Sequence, residues 1–94
     1  VNGAIEEQHL IKEEAMMVIF IANFRNDTDA DDLKTLFSEY GKVEDVTIRF
    51  HHRMGCWALV EMRHKSEGME AIKALNGQRW NRRKLIVNEK RPYK

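Results

Sequence analysis

The chain has 94 residues, 43% apolar and 33% charged, with one proline, five glycines, one cysteine and a formal net charge of +1. This suits one small globular domain and excludes collagen-like and low-complexity chains. The longest unbroken apolar run, Ala15 to Ala22, is eight residues, far short of the about 20 that a membrane-spanning helix needs.

A lone cysteine makes no intrachain disulfide and there is no CxxC pair, so the composition favours a reducing compartment over secretion. Residue 1 is Val, which reads as an excised piece or a processed chain. The small net charge hides a gradient. Residues 1–39 carry three cations against nine carboxylates, residues 40–78 six against five, and residues 79–94 seven against one. The basic block, Arg79, Arg82, Arg83, Lys84, Lys90, Arg91 and Lys94, is a field that attracts phosphates, although a solvated surface explains it equally well.

In chain order, residues 1–15 mix glutamates with scattered apolar positions and read as a tail with room for a short helix. Met16 to Phe24 is continuously apolar and rich in β-branched residues, closed by Asn23 and Asn26-Asp27, the pattern of a buried strand and a turn. Thr28 precedes Asp31 by three residues as in a capping box. Leu33, Leu36, Phe37 and Tyr40 then recur at helical spacing until Gly41 stops the helix. Asp29, Asp31 and Asp32 suit the positive end of its dipole.

Val43 to Phe50 alternates, with Val46, Ile48 and Phe50 on one face and Asp45, Thr47 and Arg49 on the other. After the polar link from His51 to Gly55, a second alternating segment sends Ala58, Val60 and Met62 one way and Trp57, Leu59 and Glu61 the other. The two form a hairpin pair. Ser66 is placed to cap a second helix with Met69, Ala71, Ile72 and Leu75 as its inner stripe and Asn76-Gly77 as its left-handed stop. Past an arginine-rich turn, Leu85 to Asn88 supplies a last strand, and Pro92 prevents its extension as a central strand. The order β-α-β-β-α-β predicts an α+β, ferredoxin-like domain over residues 16–91, a four-stranded antiparallel sheet with two helices on one face, followed by a short tail at 92–94.

If Ile19 and Ile21 face the helices, Phe20 faces away, and the same two-residue period turns Trp57 and Leu59 outward. Here the chain resembles the RNA recognition motif. Its first-strand signature is similar to Ile19-Phe20-Ile21-Ala22-Asn23-Phe24, and its third-strand signature, K/R-G-F/Y-G/A-F-V-x-F/Y, is met in part by Gly55-Cys56-Trp57-Ala58-Leu59-Val60-Glu61-Met62. Gly55 stands at the leading basic position, Cys56 at the glycine, and Leu59 and Met62 at two aromatic positions. Leu33 to Val43 and Ala71 to Gly77 also resemble family segments, so the likeness runs from Met17 to Arg91.

The resemblance implies a non-catalytic module for single-stranded RNA, nuclear or cytoplasmic with the nucleus slightly preferred, of the kind found in ribonucleoproteins of mRNA processing. Bases would stack on Phe20 and Trp57, with Leu59 as an apolar contact equally suited to protein. Arg49 and Arg53 are candidate phosphate contacts, Asn88 a reader of a base edge, and Lys90 and Arg91 grips on the backbone. A monomeric domain within a larger protein is expected, with the acidic first helix as the place for a protein partner.

The rival reading is peptide recognition, which some family members achieve with an Arg-x-Phe sequence and an acidic first helix. Gln78-Arg79-Trp80 occupies that stretch here with the arginine displaced by one position, and Asp31 and Asp32 supply the acid. Trp80 is more simply a packing residue. Cys56 with His51, His52 or His64 has neither a catalytic elbow nor a phosphate-cradling loop around it, and no metal, cofactor or enzymatic activity is expected.

Overall fold

The computed structural model describes residues 16–53 and 55–90. Strand β1 (Met17–Ala22) leads through a turn to helix α1 (Ala30–Ser38). Strands β2 (Val43–His51) and β3 (Gly55–Met62) form a hairpin, followed by helix α2 (Lys65–Leu75). A small hairpin of β4 (Arg79–Trp80) and β5 (Arg83–Lys84) precedes β6 (Ile86–Glu89). The main sheet is antiparallel in the order β2-β3-β1-β6, as expected for this α+β class. The expectations for the tail at 1–15, for Arg91 and for Pro92 lie outside the described residues.

The core forms where one face of the sheet meets the helices. Met17, Ile19 and Ile21 from β1, Ala58, Val60 and Met62 from β3, and Val87 from β6 pack against Leu33 and Phe37 of α1 and Ala71 and Leu75 of α2. The period of two in the strands and of 3.6 in the helices lets both layers bury a single apolar face, which is the main stabilising term for a domain this small. A bulge between Val43 and Asp45 shifts the phase of β2. Val43 and Val46, three residues apart, both turn toward the core as a result.

Several boundaries differ from the sequence expectation. The first strand ends at Ala22 because Asn23 takes a left-handed φ of 67°, and Phe24 is buried beyond it. Asp29, not Thr28, caps α1. Its Oδ1 accepts from Asp32 N at 2.9 Å while Asp32 Oδ2 accepts from Asp29 N at 3.1 Å, a reciprocal box one residue later than expected. Thr28 is buried instead, its N–H donating to Arg25 O. The helix ends at Ser38, before Gly41.

At α2 the capping position is His64, which makes no side-chain cap hydrogen bond, so Ser66 lies within the first turn. Gly68 takes the buried position expected of Met69, which is 41% exposed. Phe50 is 68% exposed. It alternates toward the helix side of β2, but α1 lies beside Val43, Asp45 and Val46 at the other end of that strand. The arginine-rich turn is the β4–β5 hairpin, and the last strand starts at Ile86, one residue later than expected. Gly77 does adopt the left-handed stop, with φ 85°.

Candidate nucleic-acid interface

Strand register arranges the outer face of the sheet into rows. Phe20 pairs with Leu59 on one side and Asn88 on the other, and Leu59 pairs in turn with Thr47. The next row runs Arg49, Trp57, Ala22 and Ile86. Beyond Phe20 in the other direction lie Asp45, Glu61 and Val18, with the Lys90 N–H donating to Val18 O at 2.9 Å. The inner partners in these strands, Ile19, Ile21, Ala58 and Val60, are all fully buried. Phe20, Trp57 and Leu59 remain partly accessible on the side away from the helices.

Phe20 and Trp57 are diagonal neighbours, with ring centroids 5.9 Å apart and planes inclined by 31°. The residue directly across from Trp57 is Ala22, which carries only a methyl group. Leu59, directly opposite Phe20, extends the apolar floor without a π face. Large apolar groups on an open sheet, flanked by polar side chains, form a surface suited to planar ligands that stack.

The charged groups are divided along the strands. Asp45 and Glu61 face each other at one end. Arg49 stands beside Trp57 at the other, and Arg53 follows in the β2–β3 turn, its backbone N–H donating to His51 Nδ1 at 3.1 Å. Neither Arg49 nor Lys90 forms an ion pair among the described residues. Asn88 is exposed next to Phe20, with amide donor and acceptor both available to a ligand edge. Gly55 has a φ of 86°, a left-handed conformation that disfavours an L side chain. That backbone favours glycine over a basic residue at this position.

Of the four residues of the rival reading, the two aspartates line different cavities. Asp31 lines a cavity of about 180 Å³ between α1 and β2, whereas Asp32 lines another with Asn81 and Arg82. Trp80 is half-buried against the core, and Arg79 Nη1 lies 3.4 Å from Arg82 O. Among the described residues, no three of the His, Cys, Asp and Glu side chains are grouped to hold a metal ion. Sequence reasoning did not single out Val18, Ala22 or Ile86 as part of the face. Ile86 lies within the strand expected from Leu85 to Asn88 and shares the phase of Asn88, while the other two are small beside Phe20.

The sequence profile of the RNA recognition motif matches residues 19–86. RbpA of the cyanobacterium Synechocystis sp., a protein named for RNA binding, is 38% identical over 79 residues, covering 81% of this chain and 78% of that protein. The splicing factor SC35 of Arabidopsis thaliana is 36% identical over 72 residues, 73% of this chain and 24% of its own length. Among solved structures, RNA binding protein PG1 superposes with a TM-score of 0.71 at 30% identity, covering 82% of this chain and 99% of that one. Pes4 RRM3 gives 0.75 at 28% identity, with 82% and 94% covered.

Proposed function

Because the chain belongs to the RNA recognition motif family, we propose that it binds single-stranded RNA across the outer face of its sheet, with one base on Phe20 and a neighbouring base on Trp57. The observation that carries this reading is the tilted ring pair on an open face, 5.9 Å between centroids, with the core residues of the same strands turned the other way. Each base stacked on a ring contributes on the order of 1–3 kcal/mol without demanding a particular base. Leu59 adds apolar contact to a sugar or base edge. Asn88, beside Phe20, offers the donor and acceptor pair that can tell one base edge from another.

Phosphates follow the charge. Arg49 and Arg53 attract the backbone at the hairpin end, Lys90 does so at the β6 edge, and Asp45 with Glu61 repels it from the remaining corner. Binding of this kind makes and breaks no covalent bond. The test is a fluorescence or NMR titration with short randomised RNAs, comparing the wild type with the Phe20→Ala/Trp57→Ala double variant. Both side chains are only partly buried, so the variant should keep its fold and lose about thirtyfold or more in affinity, the lower end of what two stacks supply. Wild-type affinity in the folded double variant rejects the stacking surface.

A further inference from the structure

A cleft that the sheet-face reading does not use lies between the β1–α1 turn and the tip of the β4–β5 hairpin. Arg25, Asn26, Asp27, Asn81, Arg82 and Arg83 surround about 400 Å³. A lobe of about 430 Å³, sharing four of those residues, adjoins it on the side of Thr28 and Asp32. The carboxylates on these walls already have donors. Asp27 accepts from Arg25 Nε and Nη2, each at 3.1 Å, a pairing that holds its carboxyl below the ordinary value. Asp32 accepts from the Asp29 N–H in the helix cap.

The guanidiniums on the hairpin are not neutralised in the same way. Arg83 Nη1 donates to an uncharged acceptor, Asn23 Oδ1, at 3.2 Å, and Arg82 has no ion pair among the described residues. Guanidinium groups beside the amides of Asn26 and Asn81 supply the planar, charged donors that recognise oxyanions. The backbone points the same way. Asn81 and Arg82 have φ of 51° and 70°, a two-residue hairpin tip in which the second position ordinarily takes glycine. An arginine there is strained, and the charge it brings to the cleft is what distinguishes it from glycine.

The cleft opens from the strand end that carries the RNA-facing rows. Asn23 directly follows Ala22, and it holds the hairpin through Lys84 O at 2.7 Å as well as through Arg83. We propose that this cleft binds a backbone phosphate of a nucleotide flanking those stacked on Phe20 and Trp57, with Arg82 as the principal contact and Arg83 and Asn81 beside it. The inference rests on the RNA-binding reading. A single phosphodiester charge also suits the cleft better than a run of acidic side chains, because Asp27 and Asp32 stand on the opposite wall.

The test compares randomised RNA pools of three and eight nucleotides on the wild type, on Arg82→Gly and on the Phe20→Ala/Trp57→Ala variant, over a range of salt. Glycine removes the guanidinium and relaxes the turn, so Arg82→Gly should melt no lower than the wild type. It should bind the three-nucleotide pool as the wild type does and lose about threefold or more on the eight-nucleotide pool. Its salt slope on the longer pool should be shallower by about 0.7, one phosphate contact on a single strand. Wild-type affinity and slope for Arg82→Gly on the longer pool, with the double variant still impaired, overturns the cleft while leaving the sheet face in place. Failure of the wild type on both pools overturns both. Tighter, Arg82-dependent binding of a phosphoserine peptide would assign the cleft to a protein partner and overturn the RNA proposal.

Discussion

At the position directly opposite Phe20, Leu59 provides an alkyl group where the family pattern has a ring. The pleat turns it outward like Trp57, so the difference is one of chemistry and not of placement. Replacing it should add a stacking partner at the centre of the face. Leu59→Phe is expected to raise RNA affinity by about 1 kcal/mol, the lower end for a base on an aromatic ring, measured by calorimetric titration against the wild type. Unchanged affinity would mean that no base reaches the middle of β3. Arg49, next to Trp57, gains from the same layout, since a guanidinium beside an indole can meet a phosphate while lying against the ring.

Among the elements, the two helices reach the sheet by different means. The start of α1 is set by the reciprocal Asp29 and Asp32 bonds, and removing the cap leaves a backbone N–H of the first turn without its acceptor. Asp29→Ala should cost about 1 kcal/mol of unfolding free energy in a denaturant titration, whereas an effect near zero would show that tertiary packing alone holds that end. Helix α2 lacks a side-chain cap but lies close to β1 at Gly68. A β-carbon there would stand 2.5 Å from Met17 Sδ, in a core where Met17 is 3% exposed. Alanine improves helix propensity by roughly 1 kcal/mol, yet overpacking costs about 1–3 kcal/mol, so Gly68→Ala should be net destabilising. A raised melting temperature for that variant would mean that Met17 yields easily.

For the molecule as a whole, the carboxylates at the start of α1 and the cations of the open sheet take different places around the described domain. Asp29, Asp31 and Asp32 gather at the start of α1, while Arg49, Arg53 and Lys90 belong to the sheet that the helices leave open. A strand of RNA meeting those three cations would release counterions at each phosphate, and the logarithm of its affinity should fall with the logarithm of salt with a slope of about −2. Titrations at several potassium chloride concentrations measure it. A slope near zero would mean that stacking acts without phosphate contacts and that the basic side chains serve solubility.

Chain pattern alone determined which side chains of β1 and β3 point which way. The alternation around Phe20, Trp57 and Leu59 follows from backbone geometry within each strand, and the helical spacing of Leu33 and Phe37 does likewise, so fold class and outward residues were readable from local sequence. Lateral position depends on pairing between segments far apart in the chain. Only the order β2-β3-β1-β6 makes Trp57 the diagonal neighbour of Phe20 and sets Asn88 beside it. The start of α1 slipped by a residue because Asp29 and not Thr28 accepts from the first-turn N–H, and α2 has its N-cap at His64 with no side-chain hydrogen bond to mark it. The β4–β5 tip escaped notice because Asn81-Arg82 lacks the glycine that usually marks such a turn, and the cleft beside it exists only where two loops separated by some fifty residues meet. Tertiary structure therefore decided the neighbours, since distance between segments is set by the packed sheet and not by local covalent geometry.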